Sequence, residues 1–274
     1  MNLKFCGENY LIDGKAEKTG KPIVFGLATL SELAEFLESR NWKHWKKGND
    51  IDKRNSITEL IDLLHFLASL QIEKCSNRLI TIPFDSLTTG YAEKVKSDYN
   101  LICRQMETYG NNDQIEFLSL ISSLSYLVSI TLKLDIQYIH KVALNIGADP
   151  DAYDTIKIIS NFIHLQRKIA LCFARVLAYL NNQLGITPKD TLSLYLVKNV
   201  LNAFRMKHGY EKGTYIKIWK KSAEDEGMED NDYIYSLIKD TNILDGNNAE
   251  VKDNLLKLMD EEYSKIYKGE KWWY

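Results

Sequence analysis

Residues 56–70 read SITELIDLLHFLASL, and the spacing of their apolar side chains decides the fold class. Ile57, Leu60, Ile61, Leu64 and Leu67 recur at intervals of three and four, which is one face of a helix; a half-buried strand would alternate at two. Thr29 to Arg40 repeats the pattern with Leu30, Leu33, Ala34 and Leu37. Further helices are predicted at about 92–109, 114–134, 136–146, 151–183, 189–207, 230–240 and 248–267. Turn-forming runs at 110–113, 147–150, 185–188 and 245–248 punctuate them. Only 23–25 (IVF) and 79–82 (LITI) read as strands, and Pro22 restricts the first to an edge or an extended segment. The charged run 220–232, KKSAEDEGMEDND, reads as a mobile loop between helices. The fold class is all-α.

The chain has 274 residues, of which 45% are hydrophobic and 26% charged, so it folds around a core rather than remaining disordered or forming a rod. Its net charge of −2 argues against a nucleic-acid-binding field. Cys6, Cys75, Cys103 and Cys172 lie far apart and fit neither a zinc site nor a disulfide framework, which suits a reducing cytoplasmic location. The first residues lack a basic segment followed by an apolar run, so no secretory signal is evident. The longest apolar stretch, 117–132, is interrupted by Ser119, Ser122, Ser123, Ser125 and Ser129 and falls short of the ~20 residues of a membrane span. It is expected to be a buried helix.

Two acidic pairs stand out: Glu32-x-x-Glu35 on one predicted helix and Glu59-x-x-Asp62 on the next. Residues three apart share a helix face, so each pair points one way. If the two helices pack side by side, four carboxylates converge, repel one another and raise one another's proton affinity. Oxygen-rich clusters of this kind suit Mg²⁺ or Mn²⁺. A simpler reading exists for each pair alone. Thr29-x-x-Glu32 and Ser56-x-x-Glu59 also match the capping box, in which the glutamate serves only a helix start. His65, three residues after Asp62, can orient that carboxylate or sit as a satisfied core residue.

The surrounding sequence is distinctive. Glu32-Leu33-Ala34-Glu35 is followed by Trp42-Lys43-His44-Trp45-Lys46 and then by Glu59-Leu60-Ile61-Asp62. Far downstream come Lys198-Asn199-Val200-Leu201-Asn202-Ala203-Phe204-Arg205, Gly209-Tyr210, Gly213-Thr214-Tyr215, Lys217, Trp219 and Glu229-Asp230-Asn231. This ordered set resembles the dimeric all-α dUTPases, members of the all-α nucleoside triphosphate pyrophosphatases. The resemblance implies a multi-helix bundle and Mg²⁺-dependent hydrolysis of dUTP to dUMP and pyrophosphate by a homodimer, with no membrane and no nucleic acid as partner. It assigns the metal to Glu32, Glu35, Glu59 and Asp62, with Glu35 orienting and deprotonating the attacking water. It assigns substrate contacts to Trp42, Lys43, Lys198, Asn202, Arg205, Tyr210, Lys217, Asp230 and Asn231. Residues 1–274 then form a single all-α catalytic unit, with 71–185 a helical insert or cap.

Elementary geometry agrees with part of that assignment. Lys198, Asn202 and Arg205 fall at i, i+4 and i+7 on one helix face, where lysine and arginine can meet phosphate oxygens. Two departures from the family pattern matter. The family's Gln/Asn motif before the first acidic pair has no good match, Asn9-Tyr10 being a weak remnant, so a related pyrophosphatase acting on dCTP remains the alternative substrate reading. The segment 220–228 is longer than its counterpart, which blurs which of Glu229, Asp230 and Asn231 reaches the site. A non-catalytic, nucleotide-sensing interaction protein is the alternative from another class.

Overall fold

A computed structural model of the chain describes residues 24–42, 51–75, 84–110, 112–143, 152–238, 244 and 248–266. These form helices α1 (Phe25–Ser39), α2 (Lys53–Cys75), α3 (Phe84–Tyr109), α4 (Asp113–Ala143), α5 (Ala152–Leu184), α6 (Pro188–Lys207), α7 (Asp230–Ile238) and α8 (Asn248–Lys265). Strands β1 (Ile218–Trp219) and β2 (Met228–Glu229) pair antiparallel between α6 and α7. The all-α class holds. The segment IVF is not a strand: Val24 precedes α1 and Phe25 opens it. LITI lies outside the described residues. The helices expected at 114–134 and 136–146 are one continuous helix as far as Ala143.

The chain divides into two compact units, Asn2–Thr191 and Leu192–Tyr274, the boundary falling inside α6. In the first unit α5 packs against α2, α3 and α4, and α1 packs against α2 and α4. Residues 71–185 thus supply α3, α4 and α5 to the same body as the acidic helices. Helix α2 is its most deeply buried element, with Leu60, Ile61, Leu63, Leu64, Leu67 and Leu70 all sealed from solvent. On α1 the buried stripe is Phe25, Thr29, Leu33 and Phe36, whereas Leu30 and Ala34 face solvent. The sequence pattern located the helix and rotated its face, because Phe25 and Phe36 were left out of the stripe.

Arg40, just beyond α1, fixes that helix to two others. Its guanidinium pairs with Asp113 at the start of α4 and lies over the rings of Phe117 and Tyr179, while the Tyr179 hydroxyl donates to Asp113 at 2.8 Å. Helix α4 departs from the expected buried helix. Leu120, Leu124, Leu127 and Val128 are buried, yet Ile115, Leu118 and Tyr126 are 60%, 58% and 51% exposed. Residues Asp113–Lys133 are also long and apolar enough to cross a membrane by length and composition, so the serines do not disqualify the stretch.

In the second unit the core is built from Val197, Leu201 and Phe204 of α6, Trp219 of β1, Ile234 and Ile238 of α7, and Val251, Leu255, Met259 and Tyr263 of α8. The run 220–227 is not a loose connector between helices. Asp225 accepts the backbone N–H groups of Lys221 and Gly227 at 3.0 Å each, closing a hairpin. Gly227 adopts φ 78°, and a Cβ there would meet Ile218 Cγ2 at 2.7 Å, so this turn requires glycine.

The contact between α3 and α5 generates a stability test. Ala174 and Ala178, one turn apart on α5, face Ile102 and Met106 of α3 and permit the helices to approach closely. Ala174→Leu is expected to destabilise the protein by about 1–3 kcal/mol through overpacking. The readout is a lower urea midpoint at unchanged m-value; an unchanged midpoint would mean that the contact tolerates the added volume.

Candidate active site

Three of the four acidic residues are brought together by the junction between α1 and α2. Ser39 Oγ, at the end of α1, lies 2.8 Å from Ser56 Oγ in the first turn of α2, and both serines are buried. The Asp52 N–H donates to the Ser39 carbonyl at 3.1 Å. With the end of one helix fixed to the start of the next, the chain reverses and the upstream face of α1 meets the downstream face of α2. One carboxylate oxygen from each of Glu32, Glu59 and Asp62 then lies within 4.8 Å of the others. Glu59 is buried and the other two are half-buried. Glu35, one helical turn beyond Glu32, is exposed and stands outside this group of three, though its charge acts on Glu32.

The capping-box reading fails for both pairs. Helix α1 begins four residues before Thr29, whose hydroxyl donates back to the Phe25 carbonyl at 2.8 Å. Helix α2 begins at Lys53, and the carboxylate of Asp52 accepts the Asn55 N–H at 2.9 Å. Ser56 instead donates to the Asp52 carbonyl. Glu32 and Glu59 therefore sit inside their helices, away from the unpaired N–H groups at the starts.

Burial first, then the charges of Asp62, Glu35 and Glu59 and a hydrogen bond with Glu59, push the Glu32 carboxyl up from 4.5 to about 8. Such a group holds its proton near neutrality unless a cation replaces it. The donor set, carboxylate oxygens with no nitrogen or sulfur among the three, fits a hard divalent ion such as Mg²⁺. His65 is buried; its Nδ1 donates to the Ile61 carbonyl at 2.8 Å and lies 4.0 Å from Asp62 Oδ1, so the nearer partner is the helix backbone rather than the carboxylate.

The second unit gathers most of the remaining sequence-nominated residues. Lys198 is only 5% exposed and Arg205 is nearly as buried, so neither lies on a solvated face. Arg205 forms a fork on Asp230, with Nε to Oδ2 at 2.7 Å and Nη2 to Oδ1 at 2.6 Å, and its Nη1 reaches Asn202 Oδ1 at 3.1 Å. Asp230 is completely buried and also accepts the Tyr215 hydroxyl at 2.8 Å. Burial opposes charge on Arg205, but the Asp230 carboxylate outweighs it and raises the guanidinium pKa. Burial and the Asp230 charge likewise push the Tyr215 phenol well above its ordinary value.

The other members are more open. Tyr210 is exposed, its ring 6.2 Å from that of Tyr215. Lys217 pairs at the surface with Glu229 at 3.3 Å, and its carbonyl accepts the Asp230 N–H at 2.9 Å. Asn231 is buried, and its side-chain oxygen has no hydrogen-bond partner among the described residues. Trp42 is largely exposed and so is no core aromatic. Lys43 lies outside the described residues. Tyr215 was not nominated from sequence as a site residue, although its place in Gly213-Thr214-Tyr215 was the available signal.

Comparison with known proteins agrees with this chemistry. The sequence model of a family described as dUTPase matches residues 9–210, which include both acidic pairs and the segment from Lys198 to Tyr210. Lys217, Asp230 and Asn231 fall beyond the matched residues. No curated protein matches the chain. A match over most of the sequence, on a mostly helical fold that gathers three carboxylates, places the chain in the all-α dUTPase family, enzymes that hydrolyse dUTP.

Proposed function

We propose that the protein is a Mg²⁺-dependent dUTP pyrophosphatase that releases dUMP and pyrophosphate, and that it works as a cytoplasmic homodimer forming one all-α catalytic unit. The approach of Glu32, Glu59 and Asp62 to within 4.8 Å is the observation that carries this reading. These three, with Glu35, are the residues that would hold the ion. When bound, Mg²⁺ neutralises phosphate oxygens and lowers the pKa of water.

The chain's own residues supply the rest. Glu35, exposed beside the group of three, orients the attacking water and takes its proton as the bond between the α- and β-phosphoryl groups breaks. Lys198 carries a buried positive charge suited to phosphate oxygens. Arg205 contributes through the N–H groups on Nη1 and Nη2 that Asn202 and Asp230 leave, so Asp230 acts by holding the guanidinium rather than by touching substrate. Asn202 and Asn231 offer amide groups to sugar or base, with the unpaired oxygen of Asn231 the stronger argument. Tyr210, Trp42, Lys43 and Lys217 complete the substrate contacts.

Pyrophosphate release from a panel of nucleoside triphosphates tests the activity. Turnover of dUTP is expected to exceed that of dCTP and to vanish in EDTA. Glu35→Gln is expected to fold normally and lose most of its turnover, roughly two or more orders of magnitude for a lost general base. Near-wild-type turnover in this variant would sink the assigned role, and a preference for dCTP would replace the substrate.

The raised pKa of Glu32 generates a second test. A carboxyl whose folded value is about 8 against an ordinary 4.5 stabilises the metal-free fold fully below pH 4.5, and this contribution is lost as pH rises through 8. In EDTA, the melting temperature is expected to decline between pH 5 and pH 9, and Glu32→Gln is expected to flatten that decline. Affinity for Mg²⁺ is expected to rise over the same window, because the ion competes with a proton. A decline that persists unchanged in the variant assigns the titration to another group.

The outward stripe of α4 supports the homodimer. Ile115, Leu118, Ser122, Tyr126 and Ser129 recur at three and four and are all exposed, an arrangement that self-association would cover. Leu118→Arg is expected to convert a species of twice the chain mass to one of single mass by light scattering. Retention of the double mass in this variant moves the interface elsewhere.

A further inference from the structure

Helix α8 lies wholly beyond the residues matched to the family, yet one turn of it grips three separate pieces of the unit that carries Arg205 and Asp230. Asp260 accepts Lys207 Nζ at 2.8 and 3.0 Å and lies 3.0 Å from His208 Nε2, at the end of the helix that carries Lys198, Asn202 and Arg205. Glu262 accepts the Tyr233 hydroxyl of α7 at 2.8 Å, one turn after Asp230 and Asn231. The Tyr263 hydroxyl accepts the Ile216 N–H at 3.1 Å, and its ring stacks on Tyr215 at 5.3 Å and 10°.

The last contact has a direct route to charge placement. The Tyr215 hydroxyl donates to Asp230 Oδ2, and Asp230 holds the Arg205 fork. A tyrosine whose ring and neighbouring backbone are both fixed by Tyr263 can point its hydroxyl in one direction only. We propose that Tyr263, assisted by Asp260, is a positioning residue that sets the orientation of Arg205 through Tyr215 and Asp230, so that α8 tunes nucleotide affinity without touching the nucleotide. The proposal rests on the assignment of Arg205 to nucleotide binding.

The test compares three variants on α8. Tyr263→Leu removes ring and hydroxyl and is expected to raise KM for dUTP roughly tenfold or more, with kcat changed less than about threefold. Tyr263→Phe keeps the stack and is expected to recover most of that loss while Ile216 amide exchange accelerates. Val251→Ala, a core truncation on the same helix, is expected to lower the melting temperature and leave KM unchanged. If Tyr263→Leu does not fold, Asp260→Asn at a half-exposed position decides, with a severalfold rise in KM expected. Wild-type KM in folded Tyr263→Leu, or in Asp260→Asn where that variant decides, or an equal rise in Val251→Ala, overturns the proposal. A wild-type chain that releases no pyrophosphate from dUTP overturns the activity instead. Positioning is then read from exchange at the Arg205 Nε–H, and no acceleration in Tyr263→Leu overturns it.

Discussion

Three carboxylate oxygens within 4.8 Å of one another, one of them on a buried side chain, oppose the packing of the helices that carry them. Everything near the junction of α1 and α2 works against that repulsion. The bond between Ser39 and Ser56 fixes the reversal, Asp52 supplies the helix start, and a leucine-rich α2 is buried on several sides. Arg40 adds a second anchor through Asp113, Phe117 and Tyr179. A proton on Glu32 relieves the repulsion, as a divalent cation held there would. The fold thus maintains an electrostatic repulsion at its helix junction.

The second unit shows the opposite arrangement of buried charge. Arg205 and Asp230 are mutually satisfied, with Tyr215 and Asn202 occupying further donor and acceptor positions. Removing either partner of such a pair strands the other charge, which costs about 3–5 kcal/mol. Asp230 also opens α7, where the helix dipole favours a negative charge, and its Oδ1 accepts the Asn231 N–H. A free arginine would be a general anion trap. One held on two sides presents its remaining N–H groups in a fixed direction, which trades affinity for geometry.

The helices were legible because three-and-four periodicity survives in every element, and their bounds were missed by only a few residues at most ends. The face of α1 was misread because aromatic positions outside the counted stripe decide its burial. The exposed stripe of α4 was missed because apolar periodicity reports apolarity on a helix and says nothing of whether a neighbour covers it. The β-hairpin was illegible for another reason. Its strands are two residues long, too short for alternation to register, and its geometry depends on Asp225 and the positive φ of Gly227. In the candidate site, acidic spacing was readable directly. The contacts that position Arg205 were not, because Tyr215, Asp230 and Tyr263 are distant in sequence and meet only in the folded unit.

The hairpin also explains how three consecutive polar residues acquire three different surroundings. Glu229 ends β2 and points outward to Lys217. Asp230 begins α7, so the change from extended to helical backbone turns its side chain inward to Arg205 and Tyr215. Asn231, one helical step further, is rotated by about 100° and buries its amide. Residues 220–227 leave this switch undisturbed, because Asp225 closes the loop on itself and the strand pairing of Ile218 with Glu229 and Trp219 with Met228 sets the register. Extra length confined to a self-closed turn cannot shift the residues after it. The register of Asp230 against Arg205 is therefore independent of the length of this loop.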